Sequence, residues 1–328
     1  SNIQLPMADH SLSVRMEGEE KSTRVPMRSA VLGTEPRRMV LSTLSYTIAM
    51  TIFIGAAIVF VSSVPRHSTS TSLGSASAEA TWSYDGIRGP SQWGELFNRE
   101  FQECSEGREQ SPVDVITAAV PADRASAGPK LTVNYRSTHE QDTVTNNGHT
   151  VKVIVDPGSY ANFNGTRYDM LQFHFHSPSE HHLDGLAYPM ETHFVYKDSA
   201  SGSVLVLAVL WKLGLERSTF LDQLWLPNLP AYGESRPVSV SLNDLDVSGD
   251  GALSYSGSFT TPPCTQGVNW VLLKHTPTMA EEQMHEFEQL IGHSGCHLNC
   301  FVGNNRPVQP LNGRTVRRSA LQLTPIRG

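Results

Sequence analysis

Residues 171–195 read LQFHFHSPSEHHLDGLAYPMETHFV, and this stretch predicts the centre of the fold. It begins as an alternating run that places His174 and His176 on one face, because successive side chains of a β-strand point to opposite faces. A second strand-like run, 191–196, carries His193. If the two runs pair antiparallel across residues 177–189, we expect the three imidazoles to meet at one point.

Three converging histidines are typical of a metal site. Three neutral nitrogen ligands with an open fourth position are the usual arrangement of a catalytic zinc. Gln172 and Glu191 are interleaved with the histidines, and a metal-bound imidazole usually donates its other ring N–H to an acceptor of this kind. The alternative is that the histidines are ordinary half-buried residues of a sheet. The third histidine and the two acceptors favour the metal site.

The composition narrows the class of protein. The chain has 328 residues, of which 39% are hydrophobic, so it can bury a substantial core. Its formal charge is −7, and it contains neither a basic stripe nor a glycine-rich phosphate loop. We therefore expect no nucleic-acid partner.

The N-terminal region predicts a membrane segment. Residues 1–38 are polar and of mixed charge, which predicts a disordered tail. Residues 39–65 carry no charge and are long enough to span a bilayer, so we expect a single-pass transmembrane signal-anchor. Arg37 and Arg38 precede it and predict a catalytic domain on the non-cytosolic side, at a cell surface or in a secretory or plastid lumen. The alternative is an export signal that is cleaved to leave a soluble exported protein.

The remaining chain is predicted to form one folded domain. Residues 66–81 form a flexible linker rich in Ser, Thr and Ala, 82–318 the domain, and 319–328 a C-terminal tail. The pattern predicts a mainly β (α+β) fold with a large central, mostly antiparallel twisted sheet and short peripheral helices. One helix is expected at 279–291. The predicted strands are 131–135, 150–155, 171–176, 192–196, 204–213 and 268–274.

A set of short segments occurs in order along residues 82–318. They are Trp82-Ser83-Tyr84, Gln110-Ser111-Pro112-Val113-Asp114, Asn146-Asn147-Gly148-His149, the stretch 171–195, Ser258-Phe259-Thr260-Thr261-Pro262-Pro263, Trp270, Asn305-Arg306-Pro307 and Gln309-Pro310-Leu311. Taken together, they resemble the α-class carbonic anhydrases over nearly the whole domain. The resemblance does not extend to residues 1–80.

The resemblance implies an enzyme, a carbonate dehydratase of the hydro-lyase class. It implies that His174, His176 and His193 hold Zn²⁺, and that zinc-bound hydroxide reversibly hydrates carbon dioxide to bicarbonate and a proton. Gln172, Glu191 and the backbone carbonyl of Asn304 are then the acceptors for the three ligands. Two other functions stay open, namely a binding protein of the same fold without activity and a zinc hydrolase that acts chiefly on esters.

Further roles follow from the same resemblance. Thr260 is expected to orient the zinc-bound hydroxide while donating its own proton to Glu180. His149 is expected to be the proton shuttle, since an imidazole titrates near neutral pH. Tyr84 and Asn147 are expected to belong to the solvent network between zinc and the shuttle.

The substrate pocket and the cysteines complete the expectations from the family. Two residues depart from the commoner pattern: Phe259 replaces a leucine and should narrow the pocket, and Lys152 replaces a neutral polar residue of the water network.

Cys104 and Cys264 match the disulfide of exported relatives, whereas Cys296 and Cys300 have no counterpart. An inorganic-carbon transporter or a second copy of the chain is a possible partner. The expected pocket walls are Val195, Val206, Phe259, Thr261 and Trp270.

Overall fold

The computed structural model describes residues 82–121, 129–136, 139–247, 251–291 and 303–326, and the statements below refer to these ranges. The predicted tail 1–38, membrane segment 39–65 and linker 66–81 lie outside them, as do Cys296 and Cys300, so those predictions stay predictions. Across the described ranges, no helix has the length and apolar character needed to cross a bilayer.

The described chain consists mainly of β-strands with a few short helices. The helices are α1 (Glu103–Glu106), α2 (Thr219–Trp225) and α3 (Glu281–Ile291). The strands are β1 (Asp114–Val115), β2 (Lys130–Arg136), β3 (His139–Asn146), β4 (Val151–Ile154), β5 (Tyr160–Phe163), β6 (Thr166–His176), β7 (His182–Leu183), β8 (Leu186–Ala187), β9 (Met190–Lys197), β10 (Val204–Gly214), β11 (Ser235–Val240), β12 (Ala252–Ser258), β13 (Gln266–Leu273), β14 (Thr278–Ala280) and β15 (Arg317–Ile326).

A 12-stranded sheet dominates the fold. Its order is β11-β3-β4-β6-β5-β2-β15-β12-β13-β10-β14, and β9 pairs with both β6 and β10. Most pairings are antiparallel, while β10–β13, β10–β14 and β2–β15 are parallel. The predicted mainly β fold with a large, mostly antiparallel sheet and short peripheral helices is thus confirmed.

The two faces of strands β6, β9 and β10 meet different surroundings. On one face, Phe173, Phe175 and Phe194 join a large apolar core that also includes Phe220 and Phe287 from helices α2 and α3. On the other face lies a smaller apolar cluster that contains Val195, Val206 and Trp270. Because side chains alternate along a strand, the histidines of β6 and β9 project on the second side. The core thus fixes the backbone from which the histidines project.

Two details differ from the prediction. The predicted C-terminal tail 319–328 is wrong, because residues 320–326 pair in parallel with β2 and the side chains of Leu321 and Leu323 pack against the core. Regular alternation along the strand predicts that Leu171 faces the same side as Phe173, yet Leu171 is 44% exposed. The pairing register shifts between Met170 and Gln172, and such a bulge reorients the extra residue.

Candidate metal centre

The three predicted ligand histidines lie together. Strands β6 and β9 pair antiparallel, and His174 lies directly opposite His193. One nitrogen from each of His174, His176 and His193 lies within 4.8 Å of the others. His176 and His193 are buried, whereas His174 is partly exposed. The cluster is therefore buried at His176 and His193 and accessible to solvent at His174.

Each histidine uses one ring nitrogen for a hydrogen bond that fixes its orientation, so the other nitrogen is available to a ligand. The Nε2 atom of His176 is buried and has no hydrogen-bond partner among the described residues. An unsatisfied buried nitrogen costs free energy unless a cation or donor occupies the point it faces. The orienting contacts are His174 Nδ1 to Gln172 Oε1 at 2.8 Å, His176 Nδ1 to the Asn304 carbonyl at 2.7 Å, and His193 Nε2 to Glu191 Oε1 at 2.7 Å.

The electrostatics of the cluster suit a metal site. Burial lowers the pKa of His176 to about 4, and it also lowers the pKa values of His174 and His193. The imidazoles are therefore neutral near pH 7, and neutral imidazole is the form that binds metals. Three neutral nitrogens with fixed orientation fit the donor set that zinc prefers.

Glu191 connects His193 to a network that the sequence did not predict. Its Oε1 accepts a second bond from His181 Nδ1 at 2.7 Å, and its Oε2 accepts the backbone N–H groups of residues 180 and 181, both at 2.8 Å. Burial alone would raise the pKa of Glu191, but the two imidazoles and their hydrogen bonds outweigh it and hold that pKa well below its usual value. Each oxygen of the Glu191 carboxylate thus accepts two hydrogen bonds.

His181 also lies close enough to Glu191 and His193 to form a second potential metal cluster. Both of its nitrogens are occupied, however, because Nε2 lies 2.7 Å from the Tyr255 hydroxyl, which is 2.8 Å from Ser111 Oγ. The geometry is that of a buried hydrogen-bond chain, not of a metal site. The chain holds Glu191, and through it the ring of His193.

Glu180 is buried beside the ligand histidines. Its Oε1 accepts the backbone N–H of Arg306 at 2.8 Å, and its Oε2 lies 3.9 Å from His193 Nδ1. Burial raises the pKa of Glu180 to about 7, against the opposing effects of His193 and of the nearby Thr260 hydroxyl. Glu180 Oε2 has no partner of ordinary hydrogen-bond geometry among the described residues.

His149 lies in the turn between β3 and β4, and it is half-buried. Its ring stacks on Trp82 with centroids 3.9 Å apart and planes 14° from parallel. Burial lowers the pKa of His149. Its backbone carbonyl accepts a hydrogen bond from Asn304 Nδ2 at 2.9 Å, so Asn304 contacts both His149 and the ligand His176. The sequence predicted only the backbone carbonyl of Asn304 as a partner.

Tyr84 and Asn147, the two residues predicted for the solvent network, occupy different positions. Tyr84 packs edge-on against His149, and burial followed by the charge of Glu180 raises its pKa well above the usual value. Tyr84 is thus near both the shuttle candidate and Glu180. Asn147 is exposed, and its Oδ1 accepts the backbone N–H groups of His149 and Thr150. Its side chain therefore also holds the turn.

The predicted pocket walls lie beside the histidines. Val195, Val206 and Trp270 are buried in one apolar cluster, and Phe259 packs against it. The Trp270 ring lies edge-on to His193, with centroids 4.8 Å apart. Thr261 belongs to a turn closed by the Cys264 backbone N–H, which donates to the Thr261 carbonyl at 2.9 Å.

A disulfide joins that turn to the N-terminal part of the domain. Cys104 and Cys264 are bonded across 160 residues, which confirms the predicted pairing. Arg306 lies buried next to it and donates to the carbonyls of Cys104 and Ser111. The turn that carries Thr260 and Thr261 is thus tied to a second segment of the chain.

Lys152, the departure noted in the sequence, lies on β4 directly opposite His174. Directly opposed residues of neighbouring strands project to the same face. The Lys152 charge contributes to the lowered pKa of His174, after burial and the other two histidines. A cation therefore lies one strand away from the cluster.

Three oriented histidines beside an apolar pocket have the geometry of a candidate metal centre. A family model of eukaryotic-type carbonic anhydrases matches residues 88–320. The carbonic anhydrase of Pectobacterium carotovorum is 35% identical over 244 residues, which cover 74% of this chain and 92% of that protein. The carbonic anhydrase of Neisseria gonorrhoeae is 38% identical over 72% of this chain and 86% of its own length.

The solved structures agree with the sequence comparisons. The α-carbonic anhydrase of Thermovibrio ammonificans, solved with the inhibitor sulfanilamide, superposes with a TM-score of 0.64 at 38% identity, over 73% of this chain and 99% of that one. The chain belongs to the eukaryotic-type carbonic anhydrase family. Its general reaction is therefore the hydration of carbon dioxide.

Proposed function

We propose that this chain binds one zinc ion through His174, His176 and His193 and uses it to hydrate carbon dioxide reversibly. The observation that carries the proposal is the convergence of three neutral, oriented imidazoles, one of which has a buried nitrogen that no described residue bonds. When bound, zinc supplies a Lewis acid that makes hydroxide available near neutral pH, an effect for which carbonic anhydrases themselves are the standard example.

Thr260 and Glu180 orient the attacking group in this proposal. Glu180 Oε1 is occupied by the Arg306 N–H, so Oε2 is the atom left to accept the Thr260 hydroxyl proton. With its proton directed at Glu180, the Thr260 oxygen can only accept a hydrogen bond from the nucleophile. That contact directs the nucleophile's remaining lone pair toward the substrate.

The apolar walls suit the substrate. Carbon dioxide is small and uncharged, and the side chains of Val195, Val206 and Trp270 offer it no competing hydrogen bond. Phe259 packs on the same cluster and reduces the space available. The pocket therefore favours carbon dioxide over bulky esters.

His149 removes the proton that each turnover releases. It is half-buried, with one side accessible to buffer, and its lowered pKa keeps it neutral and able to accept a proton near pH 7. A neutral imidazole can accept a proton on one ring nitrogen and pass it to buffer. Tyr84 lies beside His149 and is also within electrostatic range of Glu180.

The disulfide supports a non-cytosolic location for the domain. Disulfides persist in oxidising compartments and are rare in the cytosol, and Cys104–Cys264 is formed. We therefore retain the proposal that residues 39–65 anchor or export the chain. Protease protection of a full-length chain tagged at both ends distinguishes a retained anchor from a cleaved signal.

The proposed function is tested on the purified chain by metal analysis and stopped-flow hydration of carbon dioxide. We expect stoichiometric zinc, hydration that chelation abolishes and zinc restores, and only weak ester hydrolysis. A folded, metal-free protein without hydration activity would overturn the proposal. Ester turnover that exceeds carbon dioxide turnover would instead favour the hydrolase.

A further inference from the structure

The turn that carries His149 is attached to a second loop far away in sequence. Residues 226–234, between α2 and β11, run along residues 145–148. Asn146 is buried and forms most of the attachment, so the two loops hold one another. The contacts are Asn146 N–H to the Glu234 carbonyl at 3.1 Å, Gly233 N–H to the Asn146 carbonyl at 2.9 Å, Asn146 Nδ2 to the Pro230 carbonyl at 3.2 Å, and Thr145 Oγ1 to the Glu234 carbonyl at 3.2 Å.

Tyr232, at the tip of this second loop, lies against Gly148. A Cβ atom added to Gly148 would lie 2.4 Å from Tyr232 Cε2, so the ring fills the space that any other residue would need. Gly148 also has a φ of +84°, a left-handed conformation that glycine adopts at low cost. The ring is 76% exposed, so the core does not hold it there. Its close contact is with the backbone of the shuttle turn.

The opposite side of the turn is held by different residues. Asn304 Nδ2 donates to the His149 carbonyl, and the Trp82 ring stacks on the imidazole. These contacts fix the turn from the side of the metal centre. Tyr232 contacts the turn at a different residue, Gly148, from the loop of residues 226–234.

We propose that Tyr232 is a positioning residue for His149, holding its turn so that the imidazole stays against Trp82. The proposal rests on the shuttle role of His149 and adds a residue that touches neither substrate nor metal. Proton transfer depends on the placement of the imidazole, whereas hydration of carbon dioxide takes place at the centre. Loss of Tyr232 should therefore slow proton transfer and leave the hydration of carbon dioxide unchanged.

The test compares Tyr232→Ala with Tyr232→Phe and with Leu226→Ala, which removes another exposed apolar side chain from the same loop. In dilute buffer we expect Tyr232→Ala to lower kcat by roughly 2- to 10-fold, below the 10²-fold loss that a fixed 1 Å displacement can cause. The ratio kcat/KM should not change, and added imidazole should restore kcat. Tyr232→Phe and Leu226→Ala should behave as the unmodified chain.

A double-mutant cycle with Gly148→Ala isolates the contact. The added methyl group meets both the unfavourable φ and the Tyr232 ring, so Gly148→Ala should lower kcat in dilute buffer. The Tyr232→Ala background lacks that clash, so Gly148→Ala should there lower kcat by a smaller factor. Equal costs in both backgrounds would overturn the proposal.

The ring position of His149 gives a readout that is independent of activity. Stacking on Trp82 shifts the imidazole proton resonances upfield, and we expect Tyr232→Ala to reduce that shift. His149→Ala separates the two proposals. If it leaves kcat in dilute buffer intact, the shuttle role itself fails; if it lowers kcat while Tyr232→Ala changes neither kcat nor the resonances, only the positioning role fails.

Discussion

The candidate metal centre and the turn of the shuttle candidate His149 are neighbours that are held in different ways. His176 and His193 project from paired strands whose reverse faces lie in the aromatic core, and each has one nitrogen fixed by a buried acceptor. His149 projects from a turn that is held by Asn304, Trp82 and the loop of Tyr232. One site is rigid by burial, whereas the other is held by a few contacts at the surface.

The difference corresponds to the two tasks. A metal ligand has to keep one position, and the strands and the Glu191 network impose it. A proton shuttle has to reach the centre on one side and buffer on the other, which a buried strand position does not permit. Loss of a ligand histidine in the first region should therefore abolish activity, whereas substitutions in the second region should make activity depend on buffer.

The largest effect is expected from His176→Ala. The substitution removes a buried ligand whose Nε2 has no other partner among the described residues, so zinc binding should be lost and hydration should fall to the level of buffer alone. Metal analysis and stopped-flow hydration measure both. His285→Ala, at an exposed position on α3, is the matched control and should keep stoichiometric zinc. Retention of zinc by His176→Ala would show that the centre lies elsewhere.

A smaller effect is expected from Glu191→Gln. An amide keeps the shape but cannot accept all four hydrogen bonds that the carboxylate receives. Zinc affinity should fall by roughly 10- to 100-fold, the usual cost of losing a partner of a metal ligand. Competition with a chelator measures it, and the exposed Glu282→Gln provides the control. Unchanged affinity would remove the argument that Glu191 orients His193.

The same contrast explains which parts of the site the sequence could predict. The period of a strand placed His174 and His176 together, and alternation alone placed Gln172 beside them. The disulfide and the residues Thr260, Glu180 and His149 came from the resemblance, since no local pattern marks them. Physical reasoning therefore found the residues carried by alternating strands, whereas the functional residues of loops and turns came from the resemblance.

The missed contacts are those between residues far apart in sequence. His181 lies in the connection between β6 and β7, whereas Tyr255 lies on β12, and no local pattern brings the two together, so their hydrogen bond was not predictable. Trp82 was noted only as part of a motif, yet it stacks on the shuttle candidate. The parallel pairing of β15 with β2 gave no local signal either, and the predicted boundary at residue 318 was wrong for that reason.

A third, smaller effect should follow from Trp82→Ala. Burial lowers the pKa of His149 because it disfavours the charged imidazolium, so removing the stacked ring should raise that pKa toward its usual value. More of His149 is then protonated in mildly acidic solution and cannot accept a proton. An NMR titration should show the rise, and kcat in dilute buffer should fall most on the acid side. A pKa that stays unchanged would show that Trp82 does not control the environment of His149.

The smallest effect is expected from Phe259→Leu, and it acts on the rigid region. Phe259 packs against the cluster formed by Val195, Val206 and Trp270, so a smaller side chain should widen the space beside the ligands. Because the substrate is small, kcat/KM should rise by less than about 10-fold, at or below the low end of the range for a methylene-sized change in a pocket. Proton transfer at His149 should not change, so kcat in dilute buffer should stay the same. Phe163→Leu, in the other apolar core, controls for loss of packing. If kcat/KM does not rise, Phe259 does not restrict the pocket and its ring serves packing alone.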